Sequence, residues 1–114
     1  MTDHATVEIH WRNLPSEDEI NDYLNQRCEE LAAEFPEADG FDISLQAEGS
    51  KIECHAHVAG KRTRLAAHAS GASSPRQAAE GTLDKLEKEM RREHDKRIFG
   101  ARRKAQKAPA KRIS

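Results

Sequence analysis

The 114-residue chain lacks the features that define several large classes of protein. No apolar run approaches the roughly 18 to 20 residues of a membrane-spanning helix. The opening residues MTDHATVEIHW have neither the basic region nor the apolar stretch of a secretory signal, which predicts a cytoplasmic protein with no membrane partner. The five aromatic residues are too few and too scattered to form the stacking platform of a single-strand nucleic-acid binder.

The chain also contains little that resembles catalytic machinery. It has no Gly-x-Ser-x-Gly motif, no glycine-rich phosphate loop and no carboxylate pair in an identifiable pocket. Cys28 and Cys54 lack a Cys-x-x-Cys spacing and fall at apolar positions of their elements, so we interpret both as buried packing thiols. The sequence therefore predicts a protein that is not an enzyme, needs no cofactor and has no small-molecule substrate.

Charge is abundant but unevenly distributed along the chain. The formal net charge is −1, yet residues 1–50 hold thirteen acidic and only two basic residues, for a sum of −11. Residues 51–114 hold seventeen basic and seven acidic residues, for a sum of +10. This asymmetry predicts an anionic partner for the C-terminal part of the chain.

Hydrophobic periodicity predicts the element order β-α-β-β-β-α in a single domain. Apolar residues alternate with polar ones in four segments, the predicted strands, which are residues 5–12, 41–48, 52–58 and 62–70. They recur at helical spacing in two others, the predicted helices, which are residues 17–35 and 73–100. Ser16 with Glu19 predicts a capping box at the first helix, and Ser73-Ser74-Pro75 predicts the start of the second. We expect an α/β fold, an α+β two-layer sandwich with both helices on one face of a four-stranded sheet.

The predicted domain spans residues 1–100 and is followed by a basic tail. Residues 101–114, ARRKAQKAPAKRIS, hold six basic residues and no acidic one. With almost nothing to bury, this tail is predicted to be disordered.

The second helix carries the strongest functional signal. Four basic residues at spacings of three, four and four fall within about 80° of one another on the helix, away from its apolar stripe. These residues, which we call the cationic ridge, are Lys85, Lys88, Arg92 and Lys96. Like charges four residues apart destabilise a helix by about 0.2 to 0.5 kcal/mol per pair, which a bound anion would offset. Together with Lys61, Arg62 and Arg64 and the basic tail, the ridge predicts phosphate binding.

The alternative interpretation of this helix is a solvated surface held by ion pairs within the helix. Three oppositely charged pairs stand four residues apart, namely Asp84 with Lys88, Glu87 with Arg91, and Arg91 with Asp95.

Histidines form the other notable pattern. His55 and His57 share one face of a strand, and His10 or His68 could join them from neighbouring strands, as in a three-imidazole metal site. No His-Glu-x-x-His motif or Cys/His framework accompanies them, so we interpret these side chains as solvent-facing polar residues and predict no metal site. A small metal-dependent enzyme built on His55, His57 and His68 is the less favoured alternative.

Two segments, with the element order, carry a family resemblance. They are INDYLNQRCEELAAEF at residues 20–35 and AAHASGASSPRQAAEGTLDKLEKEMRREHDK at residues 66–96, with the sequence DKLE at 84–87. Over about residues 5–99 the chain resembles the short ribosome hibernation factors, the family of ribosome hibernation promoting factor and ribosome-associated inhibitor A.

The resemblance implies a double-stranded-RNA-binding-like fold that binds small-subunit rRNA near the decoding centre. There the family silences translation and favours inactive ribosomes in stress or stationary phase. Basic residues of both helices make the family's rRNA contacts, and by position these are Arg27 in the first helix and Lys85, Lys88, Arg91, Arg92 and Lys96 in the second. Residues 101–114 are too few for the dimerisation domain of long family members, so ribosome pairing through a dedicated domain is not expected. We expect a monomer off the ribosome. A general double-stranded-RNA-binding module is the alternative.

Overall fold

Four strands and two helices follow in the order that the hydrophobic pattern predicts. The computed structural model describes residues 5–61 and 63–106, with side chains described up to residue 96. The elements are β1 (Thr6–Arg12), α1 (Asp18–Glu34), β2 (Ala38–Glu48), β3 (Lys51–Gly60), β4 (Thr63–Ala72) and α2 (Pro75–Gln106). No helix in these described ranges is both long and apolar enough to cross a membrane.

The strands form one sheet in the order β1-β2-β3-β4. β1 pairs with β2 in parallel, since α1 carries the chain back between them, whereas β2, β3 and β4 form an antiparallel meander. Both helices cover the same face of the sheet, so the predicted α+β two-layer sandwich is confirmed. β1 and β4 are therefore the edge strands.

Strand alternation and helical periodicity together place one core between the sheet and the helices. The buried apolar residues of this core include Leu24, Cys28 and Leu31 of α1, Phe41, Ile43 and Leu45 of β2, Cys54, Ala56 and Val58 of β3, and Leu83, Leu86 and Met90 of α2. The inward faces predicted for all four strands are confirmed, and β1 contributes partly buried residues such as Trp11. Most polar residues of the strands consequently lie on the opposite, open face of the sheet, whereas Thr63 of β4 is buried.

The alanine-rich strand β4 forms despite its low intrinsic strand propensity. It pairs with β3 along its length and packs under α2. A Cβ atom added at Gly81 of α2 would lie only 3.6 Å from the Cβ of Ala69, so small residues on both elements allow a close approach. A β-bulge near the end of the strand, where Gly71 has a φ of +74°, carries β4 to Ala72.

The predicted start of α2 is confirmed in detail. The Ser74 hydroxyl accepts a hydrogen bond from the backbone N–H of Gln77 at 3.1 Å. The Gln77 side chain in return accepts hydrogen bonds from the N–H and the hydroxyl of Ser73, at 2.9 and 2.8 Å. These reciprocal bonds and Pro75 fix the first turn of the helix.

The capping box predicted for α1 is wrong. Glu17 occupies the N-cap position and makes no side-chain capping bond. The Ser16 hydroxyl instead accepts a hydrogen bond from the side-chain amide nitrogen Nδ2 of Asn21 at 3.0 Å, and the side-chain oxygen Oδ1 of Asn21 accepts one from the Trp11 indole at 2.9 Å. Ser16 is thus engaged in a connection between α1 and β1, which competes with capping.

The helix boundary predicted near Gly100 is also wrong, because α2 continues to Gln106. The residues ARRKAQ that follow Gly100 are good helix formers, and one internal glycine costs only about 1 kcal/mol relative to alanine. The rest of the predicted disordered tail, residues 107–114, lies outside the described residues.

Candidate nucleic-acid interface

Helix α2 presents two charged flanks on either side of its buried stripe. One flank faces α1 and carries acidic residues together with Arg91. The other faces the edge strand β4 and carries Lys85, Lys88 and Arg92 of the cationic ridge. We call these the paired flank and the β4 flank, and they differ in how their basic residues are engaged.

Arg27 of α1 is the centre of the paired flank. Its guanidinium lies 3.1 Å from the carboxylate of Asp84 and 3.1 Å from that of Glu87, so one side chain links the two helices. It also donates a hydrogen bond to the Tyr23 hydroxyl at 2.7 Å. Only 18% of the Arg27 side chain is exposed. Burial raises the pKa of Tyr23, and the adjacent Arg27 opposes that shift.

Arg91 makes a second connection between the helices. Its guanidinium lies 2.7 Å from Glu34 of α1 and 2.7 Å from Glu87 of α2, and it stacks over the Phe35 ring at 5.5 Å. The predicted Glu87–Arg91 pair is therefore confirmed. The predicted Arg91–Asp95 pair is wrong, because the carboxylate of Glu34 takes the other side of the guanidinium.

The ridge on the β4 flank is more open to solvent. All four of its residues are exposed. The predicted Asp84–Lys88 pair is wrong because Asp84 binds Arg27, and Lys88 has no ion-pair partner among the described residues. Arg92 contacts Glu89 at 3.0 Å, and Lys85 donates a hydrogen bond to the backbone carbonyl of His68 at 2.9 Å.

An open groove of about 260 Å³ separates the ridge from β4. Its walls are residues 66–68 of β4 and, from α2, Lys85, Lys88, Glu89 and Arg92. Lysine acts as a mobile point charge for phosphate, whereas an arginine fork can bind two phosphate oxygens at once. With three basic side chains against one acidic one, the groove can accept a phosphate group beside the edge of the sheet.

Two of the basic residues predicted near the β3–β4 turn, Lys61 and Arg64, lie toward one end of this groove. Helix α2 runs back along β4, because it begins at Pro75, shortly after β4 ends at Ala72, and packs against that strand. From Lys85 the helix rises about 16 Å to residue 96, and β4 covers about 13 Å back to residue 64. Arg64 and Lys61 are exposed at that end, and Arg62 lies outside the described residues.

The two cysteines are buried free thiols, as predicted. Burial raises the pKa of Cys28 to about 12 and also raises that of Cys54. Neither thiol therefore has the lowered pKa of a reactive cysteine.

The open face of the sheet gathers the strand histidines, namely His10, His55, His57 and His68. The rings of His55 and His68 stack with their centroids 5.4 Å apart. The side chains that converge closely enough to hold a metal ion, however, are Glu8, His10 and Asp42 among the described residues, not the histidines of the less favoured alternative, His55, His57 and His68. Periodicity alone could not identify this cluster, because it depends on the pairing of β1 with β2.

Comparison with known proteins finds a family that matches the sequence and solved structures that match the fold. A family model described as sigma 54 modulation protein / S30EA ribosomal protein matches residues 7–98. The Protein Y N-terminal domain of Thermus thermophilus has 19% identity and a TM-score of 0.67, with 77% of this chain and 97% of that one covered. A ribosomal subunit interface protein from Coxiella burnetii has 11% identity and a TM-score of 0.67, with coverage of 79% and 98%. No curated protein sequence matches significantly.

Proposed function

The chain belongs to the family described as sigma 54 modulation protein / S30EA ribosomal protein, and on that premise we propose that it is a ribosome-associated regulator of translation. This is the family that the sequence resembles. In our proposal the protein acts in the cytoplasm, binds small-subunit rRNA near the decoding centre and stabilises inactive ribosomes under stress or in stationary phase. The name of the similar Coxiella burnetii structure, a ribosomal subunit interface protein, supports a site on the ribosome.

The cationic ridge is the observation that carries this proposal. Lys88 and Lys96 are exposed without acidic partners in the described part of the chain, and Lys85, Lys88 and Arg92 border one groove. Contacts to phosphates supply affinity without reading sequence. The paired flank holds α2 against α1, so the ridge keeps a fixed shape, and that shape supplies specificity for a folded rRNA site.

Inhibition by this mechanism requires only occupation of the site, with no chemical step. The acidic N-terminal half contributes to orientation, because exposed acidic residues of α1 such as Asp22, Glu29 and Glu30 would be repelled by RNA. The protein therefore binds with α2 and β4 toward the rRNA and the outer surface of α1 away from it.

Cosedimentation with small ribosomal subunits tests the proposal. We compare the wild type with Lys88→Glu/Arg92→Glu at low and high salt. The matched control is Arg12→Glu/Lys51→Glu, which makes the same change in charge at exposed residues outside the groove. We expect the wild type and the control to bind at low salt and the ridge variant to lose most binding. Equal binding by the ridge variant would remove the ridge from the mechanism.

Competition distinguishes a ribosome-specific factor from a general double-stranded-RNA binder. We expect an unrelated RNA duplex, at equal nucleotide concentration, to displace little protein from the subunit. Truncation after Gln106 removes residues 107–114 while keeping all of α2, and we expect it to retain most of the ribosome affinity. Displacement by the unrelated duplex would favour the general binder, and loss of affinity on truncation would assign binding to the tail.

A further inference from the structure

We propose that the open face of the sheet, away from the cationic ridge, contains a binding site for a zinc-class divalent metal ion formed by Glu8, His10 and Asp42. One imidazole nitrogen and two carboxylate oxygens are a donor set that zinc accepts in proteins. The site uses none of the residues that carry the ribosome proposal, so an experiment can refute either proposal without refuting the other.

The strand pairing brings the three ligands together. Glu8 and His10 stand two residues apart on β1 and so point to the same face. The parallel register places Glu8 directly beside Asp42 of β2. The His10 Nε2 atom lies 3.5 Å from Asp42 Oδ1 and 3.7 Å from Glu8 Oε1, and one ligand atom of each residue lies within 4.8 Å of the others.

These distances are close to those of an occupied site. Bonds of about 2.0 to 2.2 Å in tetrahedral geometry separate neighbouring ligand atoms by about 3.3 to 3.6 Å. The contacts of His10 therefore need only small adjustments to surround an ion. The three side chains remain solvent-accessible, with 42% of His10, 64% of Glu8 and 57% of Asp42 exposed, so an ion can enter without an opening of the fold.

The charge balance also favours a cation here over a simple surface ion pair. Glu8 and Asp42 are direct neighbours across two strands, and like charges in such positions are destabilising. Within the described residues, neither carboxylate pairs with a lysine or an arginine. A single imidazole can offset at most one of these two negative charges, whereas a divalent ion offsets both.

Space for a fourth ligand lies next to the cluster. A shallow depression of about 210 Å³ on the open face is lined by residues that include Glu8, Asp42 and His57. His57 is the cross-strand neighbour of Asp42 on β3. A water molecule in this depression would complete four-coordination, as in zinc sites with three protein ligands.

Occupation of the site would hold the edge strand β1 against β2, since β1 has a neighbouring strand on one side only. An ion that binds the folded state and not the unfolded chain stabilises the fold in proportion to the logarithm of its concentration. Metal binding is therefore expected to raise the melting temperature of this protein.

Titration of the full chain with ZnCl2 tests the site. The protein carries no purification tag, because histidine tags bind zinc, and it is freed of metal with a chelator that is then removed. We expect calorimetry to give one zinc per chain and thermal unfolding to shift upward. An equal shift with MgCl2 would indicate general carboxylate binding and overturn the proposal, as would the absence of a zinc response.

Variants assign the ligands. We expect His10→Ala to weaken zinc binding by about tenfold or more, since loss even of a group that only supports a ligand costs about 10- to 100-fold. Glu8→Gln, which keeps the shape of the side chain, should weaken it as well. His68→Ala is the matched control, as it removes an exposed imidazole from the same face outside the cluster. Loss of binding with His68→Ala and retention with His10→Ala would place zinc on the His55/His68 pair and refute our assignment. Circular dichroism confirms that each variant is folded.

Discussion

The two flanks of α2 use basic residues in opposite ways. On the paired flank, Arg27 and Arg91 each contact two carboxylates, at distances between 2.7 and 3.1 Å. On the β4 flank, Lys88 has no acidic partner within the described residues, and Lys85 contacts a backbone carbonyl. The difference arises from α1, whose Arg27 and Glu34 supply partners to one flank only. Arg91 and Lys88 thus differ in availability although both lie on α2 and both follow an acidic residue by four positions.

This contrast separates two roles for the basic residues that the family resemblance assigns to rRNA. The ridge is available to phosphates, and Arg27 and Arg91 connect the helices. Direct rRNA contact by these two arginines stays a prediction. Four experiments test this difference between the flanks, and they follow in decreasing order of expected effect.

The largest effect is expected from Arg27→Ala. It leaves Asp84 and Glu87 without their partner from α1 and removes the hydrogen bond to Tyr23. We expect a loss of about 2 kcal/mol in the free energy of unfolding, because the side chain is mostly but not fully buried. Urea denaturation measures it, with Arg92→Ala, which removes an exposed pair within α2, as a control of smaller effect.

Arg27→Ala also tests whether Arg27 contacts rRNA or only connects the helices. Well below its melting temperature, Arg27→Ala is expected to bind ribosomal subunits as the wild type does. Weak binding by a folded Arg27→Ala protein would mean that Arg27 contacts the rRNA directly. It would refute the assignment of Arg27 to a purely structural role.

Alkaline pH is expected to lower the free energy of unfolding through Cys28, the residue next to Arg27, and to do so by less than Arg27→Ala. Burial raises the pKa of Cys28 from 9.0 to about 12, so the folded state keeps a proton that the unfolded chain releases. This contribution to stability is complete below pH 9 and is lost as pH rises toward 12. From pH 8 to pH 10 we expect a loss of about 1 kcal/mol, to which the raised pKa of Tyr23 adds in the same direction.

Urea denaturation at a series of pH values measures this dependence. Cys28→Ala removes the thiol, so its stability should fall less steeply between pH 8 and pH 10. An unchanged slope in that variant would show that other groups cause the alkaline loss.

A single neutral substitution on the β4 flank is expected to have a modest effect on binding. Lys88→Ala should weaken ribosome binding about threefold and lower the slope of log affinity against log salt by about 0.7 to 0.9, the value for one phosphate contact. Binding titrations at several salt concentrations measure both quantities. Arg91→Ala is the comparison variant, and an equal change in its slope would show that both flanks contact phosphate.

The smallest effect is a gain of binding. Glu89→Gln removes the acidic residue of the groove and releases Arg92 from its contact at 3.0 Å. We expect ribosome affinity to rise about twofold, and the free energy of unfolding to change by less than about 0.5 kcal/mol, as is usual for exposed pairs. The same titrations measure affinity, with Glu80→Gln, which releases Arg76 elsewhere on α2, as the control. A decrease in affinity would mean that the Glu89–Arg92 pair itself is recognised.

The sequence predicts the parts of this molecule that depend on local patterns. Alternation identifies the inward residues of each strand, Ser74 caps α2, and helical spacing collects the ridge on one side. Ser16 shows where such patterns fail, because its hydroxyl has a competing acceptor role toward Asn21. Local spacing shows which hydrogen-bond or ion-pair partners a side chain can reach, but not which of them it contacts in the fold.

Long-range partners account for most of what the sequence could not predict. Asp84 and Lys88 have the spacing of a helical ion pair, yet Arg27, 57 residues away from Asp84, takes the carboxylate. The proximity of Glu8 to Asp42 likewise requires that β1 joins β2 in parallel and in one particular register. A shift of one residue would turn one of these carboxylates to the other face of the sheet.

The hydrogen bond from Lys85 to His68 has a consequence for solubility. β4 is an outer strand, and the carbonyl of His68 belongs to a row of backbone groups that a strand from another molecule could otherwise join. Charged side chains that occupy such groups are a common protection against aggregation. Lys85 therefore also covers part of this edge, and its replacement by a neutral residue would leave the His68 carbonyl open to pairing with a strand of another molecule.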